Sequence, residues 1–284
     1  MIVGGKAIAE EIRFELKNEI QAREHAPRLD IILAGDDPAS AAYVKRKQVF
    51  GKSIGAEVVV HETSEDAYPD SIALIAFIKD IVQNPATDGI IVQLPLPESL
   101  RTHTRSVLDA VPPEKDVDCL SSGALERFAS RESDIRPPSV GVVDEIFRRH
   151  SVDIRGKKIA LVGATGGLVG RPLALWFSSR GIPFSAVNTK TPPVQMREIL
   201  KNADIVISGV GKAGLITADM VKAGVIAIDA GTSSSFGTLR GDMDPAIALK
   251  AELFTPVPGG VGPITVAMLF RNLLALANKS KGSP

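Results

Sequence analysis

The chain has 284 residues, 44% of them apolar, and its 33 basic and 33 acidic side chains cancel to no net charge. That length accommodates two domains with separate cores. The charge balance argues against nucleic-acid or membrane partners, though it leaves room for a local basic pocket. The single cysteine, Cys119, excludes an internal disulfide framework, and no Cys/His spacing suggests a metal site. MIVGGKAIAEEIRFELK turns charged within a few residues, unlike a secretory signal, and no unbroken apolar run reaches membrane-spanning length. The expectation is a cytoplasmic protein with a polar, frayed tail over residues 279–284.

In chain order, residues 6–25 read as an amphipathic helix with Ile8, Ile12, Leu16 and Ile20 on one stripe. A strand over 28–33 follows, then the turn Gly35-Asp36-Asp37-Pro38 and a second helix. On that helix Tyr43 and Lys47 are four apart and share a face that continues to Phe50 and Ile54, whereas Lys45 and Lys52 fall elsewhere. A lysine on such a stripe either snorkels to solvent or has a partner and a perturbed pKa. Residues 57–61 form a valine-rich strand, and 71–82 a helix burying Ile72, Ile75, Ile78 and Ile81. The strand 88–93 ends in Gln93 and is stopped by Pro95 and Pro97. Strand ends in open α/β sheets are where sites form, so Gln93 could meet Lys47. Alternating strands and helices at this spacing mean an α/β domain with a parallel sheet.

The stretch VPPEKDVDCLSSGALERF, residues 111–128, reads as a loop leaving the sheet. Asp116 and Asp118 alternate with Val117 and Cys119, so an extended segment would point both carboxylates one way; a solvated acidic loop is the plainer reading. A helix over 139–150 follows. KKIALVGATGGLVGRPLALWF is then a strand, a glycine-rich turn and a helix. Gly163, Gly166, Gly167 and Gly170 allow close approach of a phosphate to backbone N–H groups, although the spacing is not GxGxxG. After the next strand, 184–187, comes Asn188-Thr189-Lys190-Thr191. No carboxylate is there to hold a ribose 2′-hydroxyl; Thr189 and Lys190 suit a 2′-phosphate better, which favours NADP, with NAD the alternative. Strands 205–208 and 225–229 each run into a glycine-containing loop. The chain closes with a Pro/Gly loop over 255–263 and a helix with Pro263 in its first turn. There Gly259, Gly260 and Gly262 would let backbone touch a planar ring.

YVKRK, DGIIVQLPLP, PPEKDVD, VGATGGLVGRP and TPVPGGVGPITVAML occur in this order over nearly the whole chain. Together they resemble the methylenetetrahydrofolate dehydrogenase/cyclohydrolase family (the FolD proteins). The resemblance implies two α/β domains with the active-site cleft between them, and a homodimer acting in one-carbon metabolism on tetrahydrofolate derivatives. It implies a catalytic domain over residues 1–138, on which the helix 263–280 packs back, and a Rossmann domain over 139–262. Lys47 matches the family's catalytic lysine and Tyr43 the tyrosine that stacks on the aminobenzoyl ring. Gln93 matches the glutamine bonded to that lysine, and Asp118 the aspartate that grips the pterin. Leu94, Pro258, Gly259 and Gly262 match positions lying against the folate. Gly163, Ala164, Thr165 and Gly166 fall on the cofactor-phosphate turn, and Thr232 on a backbone site facing the cofactor. A lysine acting as a base near pH 7 must be partly neutral, which requires its pKa to fall from about 10.4.

The chain departs from the family pattern in four places. Residues 137–140 are Pro-Pro-Ser-Val rather than Pro-Cys-Thr-Pro, Cys119 replaces a glycine, Val49 replaces the second lysine of K-x-K, and Ala164-Thr165 stand where many members have Arg-Ser. These changes bear on cofactor preference and on the balance of the two activities. They keep open a dehydrogenase-only enzyme and a non-catalytic folate- or nucleotide-binding descendant.

Overall fold

The computed structural model describes residues 1–63, 68, 70–235 and 238–280, so the end of the expected tail, 281–284, lies outside the described residues. The chain divides into two compact units: Glu10–Pro138 with the residues from Val266 onward, and Met1–Ala9 with Ser139–Thr265.

In the first unit, α1 (Gly5–Gln21) enters and is followed by β1 (Arg28–Ala34), α2 (Pro38–Ile54), β2 (Glu57–Thr63), α3 (Ser71–Gln83) and β3 (Gly89–Val92). The strands form a parallel sheet in the order β2-β1-β3. Helix α1 stops four residues short of the expected end, because beyond Ile20 the stripe offers only Glu24 and His25 where apolar residues would be needed. Asp70 caps α3 by accepting the Ala73 N–H at 2.9 Å. The buried face of α3 is Leu74, Ile78 and Ile81, whereas Ile72, expected inside, is 74% exposed. Leu74 and Ile78 are one turn apart and claim the core; Ile72 lies off that line. Burying each of those three side chains stabilises the unit by about 1.5–3 kcal/mol. Two short helices that periodicity did not reveal, α4 (Thr104–Leu108) and α5 (Ser122–Ala129), complete this part of the chain.

In the second unit, α6 (Pro138–Arg149) leads into β4 (Ile159–Val162), α7 (Gly170–Ser179), β5 (Phe184–Val187), α8 (Pro193–Asn202), β6 (Ile205–Ser208) and β7 (Ile226–Asp229). The antiparallel hairpin β8 (Ser233–Ser235) and β9 (Thr238–Arg240), unforeseen from the sequence, precedes β10 (Leu253–Phe254) and the start of α9 (Val261–Ser280), whose residues from Val266 onward belong to the first unit. The sheet is wholly parallel in the order β10-β7-β6-β4-β5. The chain builds outward from β4 to β5, then returns to β6 on the other side, so the switch point lies at β4, where this kind of sheet forms its crevice. The N-terminus adds to the far edge: the Val3 N–H donates to the Phe254 carbonyl at 2.8 Å, and the Phe254 N–H to that of Met1 at 2.9 Å. Residues Val261–Lys279 are long and apolar enough to cross a membrane by length and composition, but 61% of that window is buried inside the protein, as in a core helix.

Candidate active site

Helix α2 starts where the sequence dictates. Asp37 accepts the Ser40 N–H at 2.8 Å, Pro38 occupies the first turn, and Gly55 ends the helix in the left-handed region at φ 86°. Its buried face is Ser40, Val44, Lys47, Gly51 and Ile54. Tyr43 therefore sits on the flank of this face, 36% exposed, with the Arg46 guanidinium 5.3 Å above its ring. Phe50 is half-buried and stacks on Phe270 at 5.2 Å. Lys47 does not snorkel: it is only 7% exposed.

The amine has one hydrogen-bond partner among the described residues. Lys47 Nζ donates to Gln93 Oε1 at 3.0 Å. Gln93 follows β3 directly, and its N–H still donates to the Ile32 carbonyl of β1 at 2.9 Å, so the sheet fixes its backbone. Its Nε2 donates to the Leu94 carbonyl at 2.7 Å. That contact settles which end of the amide faces the lysine, because only Oε1 can accept from an ammonium. Leu94 is half-buried and precedes a cis Pro95. Burial lowers the Lys47 pKa, since a low-dielectric site disfavours the charged amine, and the Asp118 carboxylate opposes the shift. The neighbouring cations Lys45 and Arg46 are exposed and do not contribute to the lowering. Burial in turn raises the Asp118 pKa, with Lys47 pulling it down.

The segment carrying Asp118 is neither extended nor a solvated loop, contrary to both sequence readings. It returns to the sheet: the Ile90 N–H donates to the Lys115 carbonyl at 2.7 Å, and Asp116 bridges β3 at Ile90. The chain then turns. The Asp116 carboxylate is buried, 4% exposed, and accepts the Leu120 and Ser121 N–H groups at 2.9 and 2.7 Å. Asp118 stays half-buried, and Cys119 takes φ 53°, a left-handed backbone that glycine adopts freely. The two carboxylates thus have different roles because the turn, not strand alternation, sets their directions.

The other sequence-predicted residues lie in the second unit, at the C-terminal ends of its strands. Gly163 follows β4 at φ 84°, and its carbonyl accepts the Gly166 N–H at 2.8 Å. A Cβ on Gly170 would lie 1.8 Å from that same carbonyl oxygen, so α7 can begin here only with glycine. Ala164 is buried; Thr165 and Gly167 are exposed at the start of α7. Thr189 and Lys190, both exposed, follow β5 in a turn where Asn188 Oδ1 accepts the Lys190 N–H at 2.9 Å. Thr232, exposed, lies beside the loop after β6, its carbonyl oxygen 3.3 Å from where a Cβ on Gly211 would stand. Pro258, with a cis bond to Val257, Gly259 at φ 103° and Gly262 follow β10.

The sequence reading missed a pair of buried carboxylates that organises these strand ends. Asp242 accepts Ser208 Oγ at 2.6 Å and the Val210 and Lys212 N–H groups, each at 2.7 Å. Asp229 accepts the N–H groups of Gly231, Asp242 and Met243 at 3.0, 3.1 and 2.8 Å, and burial with the nearby Asp242 charge pushes its pKa up to about 6. An aspartate ending an apolar strand, as in VIAID, was the available signal. Among the described residues no cluster of His, Cys, Asp and Glu is arranged to hold a metal ion.

Two family models match the chain: the tetrahydrofolate dehydrogenase/cyclohydrolase catalytic domain over residues 3–118 and the NAD(P)-binding domain of the same description over 137–281. A bifunctional protein FolD from Nautilia profundicola is 40% identical, with 97% of this chain and 96% of the relative covered. The crystal structure of the Campylobacter jejuni bifunctional FolD dehydrogenase/cyclohydrolase superposes with a TM-score of 0.91 at 32% identity, covering 98% of this chain and 99% of that one. The Trypanosoma brucei FolD structure, complexed with NADP and an inhibitor, gives 0.91 at 30% identity, covering 100% and 99%.

Proposed function

The chain belongs to the tetrahydrofolate dehydrogenase/cyclohydrolase family, and from that premise we propose that it oxidises 5,10-methylenetetrahydrofolate to the 5,10-methenyl cation and hydrolyses the cation to 10-formyltetrahydrofolate. The observation that carries this reading is the buried Lys47 amine held at 3.0 Å by Gln93, with the charge of Asp118 acting on it. A protein that only binds folate needs no amine of lowered basicity; a hydrolase needs one to move protons.

Lys47, largely stripped of water, supplies a neutral amine that takes a proton from the attacking water and returns it as the ring opens. Gln93 accepts from that nitrogen and keeps its lone pair and its protons in a fixed direction, itself held by the Leu94 carbonyl. Asp118 accepts from the amino group and ring N–H of the pterin, a bidentate contact, and its charge limits how far the lysine pKa falls. Tyr43, exposed on the flank of α2, offers its ring face to the aminobenzoyl group. Leu94, Pro258, Gly259 and Gly262 give the remaining folate contacts.

A dinucleotide fits the residues at the ends of β4 and β5. Thr165 and Gly167 are exposed at the start of α7, and an added Cβ at Gly167 would meet nothing within 4 Å. Gly163, Ala164, Thr165 and Gly166 would hold its pyrophosphate, Lys190 and Thr189 a 2′-phosphate, and Thr232 the cofactor through its backbone. That assignment favours NADP over NAD, because no carboxylate follows β5. When bound, the cofactor accepts the hydride from the methylene carbon; the chain's contribution to that step is orientation. The proposed assembly is a cytoplasmic homodimer whose partners are folates, not nucleic acid or membrane.

An absorbance assay with 5,10-methylenetetrahydrofolate, run once with NADP and once with NAD, tests this. The expected result is reduced-cofactor signal that is larger with NADP, with formyl product accumulating. No turnover with either cofactor overturns the reading, and methenyl product without formyl product overturns its hydrolytic half.

A further inference from the structure

We infer that Asp116 is a positioning residue: it fixes the turn that aims the Asp118 carboxylate. The inference rests on the reading above that Asp118 grips the pterin.

The two aspartates are two residues apart, yet only Asp118 retains access to solvent. Asp116 is 4% exposed and lies where the chain leaves its bridge to β3. One of its oxygens, Oδ2, accepts both the Leu120 and the Ser121 N–H, at 2.9 and 2.7 Å, and its backbone carbonyl accepts the Cys119 N–H at 3.3 Å. Residues 116–121 are thereby closed into a loop around one carboxylate, with Asp118 at its apex. The loop needs this clamp because Cys119 holds φ 53°, a conformation that a side-chain-bearing residue adopts only when its surroundings impose it. The far side of the loop is supported separately: Asn272 Nδ2 donates to the Val117 carbonyl at 2.9 Å, and Arg105 Nη1 to the Leu120 carbonyl at 2.7 Å. Those contacts set where the loop lies; neither reaches the N–H groups that set its curvature.

Burial and the neighbouring Asp118 charge push the Asp116 pKa up to about 6, and the Ser121 N–H and hydroxyl, with the Leu120 N–H, oppose that rise. A carboxylate placed at such a disadvantage, with no solvent contact to serve, is accounted for by the turn it closes. Without it two buried N–H groups lose their acceptor. Asp118 would then lose its direction toward the pterin and its influence on Lys47.

Three variants of the full chain test the proposal, with Asp118→Ala as reference. Asp116→Asn can present an amide oxygen to both N–H groups at the same chain length, and its KM for 5,10-methylenetetrahydrofolate is expected within about threefold of wild type. Asp116→Glu keeps the charge but is one methylene longer; it pushes the turn outward and raises that KM about tenfold. Asp116→Ala raises it at least as much, while the KM for NADP stays unchanged in all three. The Asp116→Glu variant keeps the question open to test should Asp116→Ala not fold. A role in stability alone would lower the active fraction, and so kcat, at constant KM; that outcome for Asp116→Glu overturns the proposal. Asp116→Asn as impaired as Asp116→Glu also overturns it. If Asp118→Ala raises KM while Asp116→Glu does not, the proposal fails and the folate reading stands. An unchanged KM in Asp118→Ala overturns both.

Discussion

The Lys47 cluster and the glycine turn at Gly163 both lie at the C-terminal ends of parallel strands, yet they are made of opposite materials. The first is side chains: an amine, an amide and a carboxylate, drawn from α2, the end of β3 and the turn after the β3 bridge. Its chemistry arises from burial, which alters the basicity of a group whose ordinary state would be a solvated cation. The second is backbone: Gly163 and Gly170 approach so closely that no Cβ fits, and the side chains at its rim, Thr165, Thr189 and Lys190, are exposed. Burial lowers the basicity of an amine in one region, and the absence of side chains creates space in the other. The first should therefore respond to substitution through pKa and rate, the second through packing and affinity.

The largest expected effect comes from removing the amine. Lys47→Met keeps the length and apolar stem of the side chain; hydrolysis is expected to fall by about 10³ or more, roughly 4 kcal/mol on the barrier. Folate affinity should hold within about tenfold, or 1.4 kcal/mol, in a direct titration. Hydrolysis at the wild-type rate would remove the amine from the chemistry. The contrasting variant is Gly170→Ala, whose new Cβ would meet the Gly163 carbonyl oxygen. Roughly 3 kcal/mol should be lost in urea unfolding, since backbone must shift to make room, and cofactor affinity should fall with it. A Gly170→Ala protein of wild-type stability would show that the turn is softer than its close packing implies.

A third variant asks whether burial perturbs acids in the second unit as it perturbs the lysine in the first. Asp229 has a folded pKa raised to about 6. Folding therefore takes up a proton: this contribution to stability is fully present below the ordinary carboxylate range and is lost as pH rises toward about 6. Asp116, raised likewise, contributes with the same sign. Asp229→Asn should flatten the decline between about pH 4 and pH 6 by roughly 2 kcal/mol, measured by urea unfolding across that range. An unchanged slope would mean that Asp229 is not held in its acid form. The smallest effect is expected at Cys119→Gly. Relief of the left-handed backbone, worth about 1–2 kcal/mol, offsets loss of the buried thiol. Stability should stay within about 1 kcal/mol of wild type, and a larger loss would show that the thiol packs more productively than its size suggests.

Most of the strands were legible as short apolar runs and most of the helices by their apolar period, and Gln93 was legible as the polar end of a strand stopped by Pro95 and Pro97. Ile72 was misassigned because four isoleucines at helical spacing suggest one face, while the core was claimed by Leu74. The register of α2 was displaced for a similar reason: Tyr43 lies off the line on which Val44, Lys47 and Gly51 are buried. The turn at Asp116 left no periodic trace at all. Its shape depends on a carboxylate meeting N–H groups four and five residues ahead, and alternation of charge with apolar residues suggests a strand instead. Asp242 was missed because the first of the two aspartates in RGDMDP looks like any surface turn residue until Ser208, Val210 and Lys212 are seen around it.

The central claim is that burial beside Gln93 makes the Lys47 amine less basic. Carbon-13 NMR of lysines labelled at Cε, with the Lys47 resonance assigned by its loss in Lys47→Met, titrates that amine directly. The expected midpoint lies clearly below the ordinary lysine value of about 10.4 and falls further in Asp118→Asn, where the opposing charge is gone. A Lys47 midpoint at the ordinary value, unmoved by Asp118→Asn, would contradict the account.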